Sequence, residues 1–260
     1  MKMRVCSFIA TAIVVVAIAA SLGSTGAVAA QAGTGCDVPG SNDLTFALFD
    51  GSKSVPWDQF EAAVDSLEQG YVKDLVNAKQ IPDLMLGTFG SSARKAMGGL
   101  PRLTLQNVRN YERPPCAKRG FGILNNRLIQ DWNRVHADRG SAILEALYGV
   151  GGYMQSPTGH KKLMIYSDML EDSGWQKFGP SIARQKQRTA ALNKLAKSGH
   201  IATLKGVTVC IAGFDAGVGG SKQPRAVKAF WHEYFKRAGA TLAYTGTEFP
   251  TSGKCATTRR

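Results

Sequence analysis

The chain has 260 residues, 44% of them hydrophobic, and a formal net charge of +13 from 32 Lys and Arg against 19 Asp and Glu. No repeat or low-complexity tract interrupts it, and the length suffices for one domain with a sizeable core. The positive balance suits acidic polymers or anionic surfaces outside the cytoplasm. No aromatic-studded groove for a single strand is evident, so nucleic acid is a minor reading.

Lys2 and Arg4 precede an apolar run from about Phe8 to Leu22, and small residues then lead to Ala27-Val28-Ala29. This order of charge, apolar core and small-residue end predicts a secretory signal peptide over residues 1–30, with one domain over 31–260, exported to a periplasm or secreted. The run is too short, and too interrupted by Ser21, Gly23 and Ser24, for a membrane anchor. Gly33-Thr34-Gly35 before Cys36 lacks the large aliphatic residue of a lipoprotein signal. Without residues 1–30 the chain keeps 30 basic residues against 19 acids, a net +11. It also keeps Cys36, Cys116, Cys210 and Cys255, an even count that fits two disulfides in an exported protein. Sequence does not choose among the three pairings; Cys36 with Cys116 and Cys210 with Cys255 is the pairing taken forward. Cys210 lies in an apolar strand, where a buried free thiol is the alternative.

The first element is Leu44-Thr45-Phe46-Ala47-Leu48-Phe49, an unbroken run like a strand buried on both faces of a sheet. It stops at Asp50-Gly51-Ser52-Lys53-Ser54, and after Pro56 the spacing of Trp57, Phe60, Val64, Leu67, Tyr71 and Leu75 predicts a helix. Residues 84–89 read as a second strand and the alternating residues 103–108 as an edge strand. Residues 111–122, with Pro114, Pro115, Gly120 and Gly122, read as a long surface loop, followed by a helix over 124–135. A turn at Asp138-Arg139-Gly140-Ser141 leads into a helix running to about Met154. Lys161 and Lys162 open a strand that ends in Ser167-Asp168-Met169. A basic helix over about 181–197 follows, then a strand at 207–213. A helix with Val227, Phe230, Trp231, Tyr234 and Phe235 on one face precedes the last strand, at 241–244. This alternation predicts an α/β fold, a doubly wound and mainly parallel sheet with helices on both faces and one antiparallel edge strand.

A strand-to-helix turn in such a fold points its polar groups out of the carboxyl edge of the sheet, where ligands bind. The carboxylate of Asp50 and the hydroxyls of Ser52 and Ser54 would make a small, hard, all-oxygen site there, better suited to Mg²⁺ or Mn²⁺ than to zinc. The same residues also serve ordinary strand ends and helix caps.

Asp50-x-Ser52-x-Ser54 resembles the metal-ion-dependent adhesion site of von Willebrand factor type A (vWA) domains, the integrin inserted-domain fold. Two later segments look like the other loops of that site. Gly140-Ser141, followed by Ile143, Ala146 and Leu147, matches the glycine-led turn that opens a helix, with serine in the usual threonine place. Met164-Ile165-Tyr166-Ser167-Asp168 matches the aspartate at the end of the fourth strand. The resemblance spans roughly residues 44–244 and implies a vWA, Rossmann-like fold. It also implies a Mg²⁺ or Mn²⁺ site, with Ca²⁺ as a further candidate, held by Asp50, Ser52, Ser54, Ser141 and Asp168. In that family the underfilled metal takes an Asp or Glu of a protein partner, so the resemblance implies adhesion or assembly. Ala142 departs from the polar residue many members carry, and Thr88 and Thr158 rival Ser141 as the third hydroxyl. Lys53 would oppose a cation unless it points to solvent.

Signals for turnover are weak, and no enzyme is expected. Ser52 stands where an aspartyl phosphatase needs its second acid. Gly217-Val218-Gly219-Gly220 lacks the Gly-Lys-Ser/Thr ending of a phosphate-cradling loop. His136, His160, His200 and His232 show no ligand spacing, and no serine sits in a G-x-S-x-G elbow. Charge is uneven: residues 84–130 hold eight basic residues against Glu112 alone, and 173–214 hold seven with no acid. The reading is therefore an exported, metal-dependent protein-binding module. Its alternative is a basic extracytoplasmic module that holds acidic polymers or anionic membrane surfaces by charge, without a functional metal site.

Overall fold

The run Leu44–Asp50 forms β1, buried along its whole length in a six-stranded sheet of order β3-β2-β1-β4-β5-β6. The computed structural model describes residues 36, 42–75, 81–93, 100, 102–105, 108, 111–136, 140–155, 158–214, 223–250 and 255. The expected signal segment, residues 1–30, and the glycine run at 217–220 lie outside them. The other strands are β2 (Asp83–Phe89), β3 (Arg102–Leu103), β4 (Lys161–Tyr166), β5 (Val207–Ala212) and β6 (Thr241–Thr245). All pairings are parallel except β2 with β3. The sheet is doubly wound, with one antiparallel edge strand, as the element order predicts.

Side chains alternate across β1 and so divide the core. Phe46 and Leu48 face one layer, with α3 (Ile143–Tyr153), α4 (Gln185–Lys197) and α5 (Gln223–Arg237). Ala47 and Phe49 face the other, with α1 (Trp57–Asp74) and α2 (Arg113–Val135). A strand that is buried at every position is thus explained by helices on both sides. β1 hydrogen-bonds to β2 on one side and β4 on the other. The chain winds outward from β1 in one direction and then returns to wind in the other, which places a topological switch point, with its crevice, between β1 and β4.

Two expectations are corrected. Residues 113–122 are not a surface loop but the first part of α2, a 23-residue helix. Pro114 and Pro115 fall in its first turn, where backbone N–H groups have no intrahelical partner to lose. The glycines inside the helix cost about 1 kcal/mol each against alanine. Burial of Phe121, Leu124, Leu128 and Trp132 offsets that cost, and the Cys36–Cys116 disulfide pins the first turn. The edge strand expected over 103–108 is reduced to Arg102–Leu103, with Gln106 and Asn107 outside the described residues. The second disulfide joins Cys210 in β5 to Cys255, so both pairings are those expected and Cys210 is no free thiol.

Candidate metal centre

Asp50 closes β1 with its side chain fully buried, and its carboxylate gathers three donors. The Ser52 amide donates to Oδ1 over 2.9 Å, the turn an aspartate makes with the backbone two residues on. The Ser141 hydroxyl lies 3.3 Å from Oδ1 and 3.1 Å from Oδ2, and the Ser167 hydroxyl donates to Oδ2 over 2.7 Å. Ser141 Oγ is also 2.9 Å from Ser52 Oγ, which in turn is 2.9 Å from Ser54 Oγ. Lys53 is exposed, so its charge points to solvent.

Ser141 arrives from 91 residues away on the loop that opens α3. Gly140 makes the turn at φ +123°, and a Cβ there would stand 2.7 Å from the Asp172 carbonyl oxygen. The Asp172 amide bonds to the Ser141 carbonyl over 3.0 Å, and the Ala142 amide to the Gly90 carbonyl over 2.6 Å. No side chain of its own caps α3. Glu171 supplies the cap instead, taking the Leu144 amide on Oε2 over 2.9 Å. Burial pushes the Glu171 carboxyl up to about 8, against the pull of Ser173 and of the helix amides.

Asp168 follows β4 and is 3% exposed. Its Oδ1 accepts the Leu170 amide over 2.9 Å. Oδ2 is buried and accepts no hydrogen bond among the described residues, although the Ser54 hydroxyl lies near enough to ease its charge. Between Ser167 and Leu170 the chain passes through Met169 at φ +61°, an uncommon conformation for a residue with a side chain. The Met169 amide bonds to Ser167 Oγ, and the Trp231 indole of α5 donates to its carbonyl over 2.8 Å.

The five residues Asp50, Ser52, Ser54, Ser141 and Asp168 therefore converge at the carboxyl edge between β1 and β4. Burial first, and then the charge of Asp168, raises the Asp50 carboxyl to about 6 against the hydrogen bonds from Ser167 and Ser52. Burial also raises Asp168. Two carboxylates thus share a buried pocket of hydroxyls, and one oxygen lacks a donor. This donor set fits a small hard cation: all oxygen, two negative charges, and an orphan lone pair that a cation or its water would satisfy. Among the described residues, no three His, Cys, Asp or Glu side chains gather as a metal site.

The rival hydroxyls fall elsewhere. Thr88 pairs with Phe49 in the β2 register, which turns it toward the α1–α2 layer and away from the Asp50 side chain. Thr158 precedes β4 and sits at the amino edge. Sequence reasoning missed Ser167 as a partner of Asp50. Phe49 pairs with Tyr166, so the next positions, Asp50 and Ser167, come side by side. That follows from the register, which the sequence does not carry.

No protein-family model and no curated protein matches the chain. Solved structures do. A PilB minor pilin from Streptococcus sanguinis is 13% identical over 83% of this chain and 59% of its own, with a TM-score of 0.44. A von Willebrand factor type A protein from Catenulispora acidiphila is 16% identical over 76% of this chain and 43% of its own, at 0.35. Manganese-loaded Plasmodium vivax TRAP is 11% identical over 79% of this chain and 68% of its own, at 0.36. The chain thus spans 59% of the length of the pilin. At these scores the likenesses carry no weight by themselves, and the assignment stands on the strand order and on the three loops that meet at the switch point. The fold is vWA-like.

Proposed function

We propose that this protein is an exported binding module in which Asp50, Ser52, Ser54, Ser141 and Asp168 hold one Mg²⁺ or Mn²⁺ that engages an Asp or Glu of a protein partner. The observation that carries this reading is the gathering of the five residues around the Asp50–Asp168 pair, with Asp168 Oδ2 buried and undonated. Ser52, Ser54 and Ser141 would ligate through hydroxyls, Ser141 directly or through water. The two aspartates would balance the charge partly through water while orienting the shell. When bound, the cation would supply an electrophilic open position for a carboxylate, because hydroxyl ligands neutralise less of its charge than carboxylates would. Ser167 holds Asp50 in place, and Glu171 holds the Ser141 loop against the loop of Asp168. Binding rather than turnover is the reading. Two disulfides accord with an oxidising compartment, a periplasm or the exterior.

Titration calorimetry with Mg²⁺ and Mn²⁺ tests the site. Asp168→Ala should abolish binding while the far-ultraviolet circular dichroism stays that of the parent, because the residue lies on the rim of the sheet. Thr88→Ala and Thr158→Ala should bind as the parent does. Parent-like affinity in Asp168→Ala would sink the proposal.

A further inference from the structure

The outer face of the α4–α5 layer is strongly cationic. Helix α4 buries only Leu192 and Leu195, and Lys186, Lys194 and Lys197 stand exposed on the opposite side. At 3.6 residues per turn these three fall within about 80° of arc, along roughly 16 Å of helix. Residues 173–214 contain no acid at all. On α5 the acid is Glu233, and Arg237 holds it while donating to Asn193 on α4 over 3.0 Å. Arg188 is committed to the carbonyls of Ile182 and Ala183. What remains exposed on the two helices and the α4 cap, with no ion pair among the described residues, is mostly lysine: Lys186, Lys194 and Lys197 with Lys228, Lys236, Arg184 and Arg225.

Three features narrow the partner. Lysines are point charges without the fork that reads a single carboxylate, so the face responds to charge density, and lysine is a common phosphate binder. Among the described residues neither α4 nor α5 exposes a large hydrophobic side chain, so the stripe itself offers no wedge for lipid, and the Tyr148–Trp175–His200 stack lies beyond its carboxyl end. On the opposite side Asp58, Glu61 and Asp65, exposed along α1, stand beside exposed Lys118 and Arg119 of α2, so that layer offers a polyanion mixed charge and no unopposed cationic stripe. We infer that the α4–α5 face is a docking surface for a linear phosphate polymer, held by charge along the Lys186–Lys194–Lys197 stripe and independent of the metal centre.

The probe is linear inorganic polyphosphate, its binding followed by anisotropy of the labelled polymer across a salt series in EDTA. The parent protein should bind with a steep salt dependence that chelation does not change, so failure of the metal reading would leave this result intact. Lys186→Glu/Lys194→Glu should weaken binding about thirty-fold and flatten the log–log salt slope by about two. Lys73→Glu/Lys118→Glu makes the same change in net charge on the α1–α2 side and should keep most of the affinity. Equal loss in both variants would mean that net charge, not this face, binds the polymer, and would overturn the inference. Tighter binding to phosphatidylglycerol vesicles or to single-stranded DNA than to polyphosphate at the same salt would overturn it too, as would no binding to polyphosphate at low salt.

Discussion

Replacing Asp50 by Asn tests the electrostatics of the site directly. Burial, and then the charge of Asp168, lifts the Asp50 carboxyl from 3.8 to about 6. Below pH 3.8 it is protonated in both folded and unfolded chains and contributes no pH dependence. Between pH 3.8 and about 6 the unfolded chain releases its proton while the folded chain keeps it, so folding stability falls as pH rises, and above about 6 the loss is complete. Two pKa units at about 1.4 kcal/mol each make the loss about 3 kcal/mol in metal-free protein. The step belongs to the Asp50–Asp168 pair, and Asp168→Asn should shift it toward lower pH. Asp50→Asn removes the ionisation but places an NH₂ among the donors Ser52 N, Ser141 Oγ and Ser167 Oγ, a pH-independent cost of about 1–3 kcal/mol. The assay is urea unfolding in EDTA at intervals from pH 4 to 7. The difference between parent and Asp50→Asn should narrow or reverse by about 3 kcal/mol across that range. Saturating Mg²⁺ should stabilise the parent more at pH 7 than at pH 4, because a proton and a cation compete for the same oxygens. Parallel stability curves for parent and variant would refute the reasoning, since Asp50 would then be ionising as easily in the folded protein as in the unfolded chain.

Glu171→Gln keeps a carbonyl acceptor for the Leu144 amide and removes a carboxyl that burial raises to about 8. Relative to the parent it should therefore gain stability on going from pH 5 to pH 8, read from urea midpoints at the two values; an unchanged difference would remove Glu171 as a buried titrating cap. In the chain without residues 1–30, thiol titration after unfolding without reductant should find no free thiol. Cys210→Ser/Cys255→Ser should lower stability by about 2–4 kcal/mol.

Most of the fold was legible because its strands and helices carry strong local patterns. Apolar runs at 44–49 and 163–166 can only be buried, and Phe230, Trp231, Tyr234 and Phe235 recur at helical spacing. The start of α2 was not legible, because prolines that end a helix from within are harmless in its first turn and the local signal is the same in both places. Glu171 could be seen only as one acid among several near Asp168. Its role as the cap of α3 depends on packing between loops 27 residues apart.

By itself the sequence determined which elements form, that they alternate, and which oxygen-bearing residues stand at their ends, because those properties depend on neighbours a few positions away. It held Asp50, Ser52 and Ser54 within one turn and favoured Ser141 as the third hydroxyl, with Thr88 and Thr158 as its rivals. Only the tertiary structure chose among them. A residue's place at the sheet edge is set by strand register and by the side of the sheet its side chain faces, and one step along a strand reverses that side. Thr88 fell on the wrong face and Thr158 at the wrong edge, while the β1–β4 pairing set Asp50 beside Ser167 and the start of the Asp168 loop, and the loop that opens α3 brought Ser141 to them.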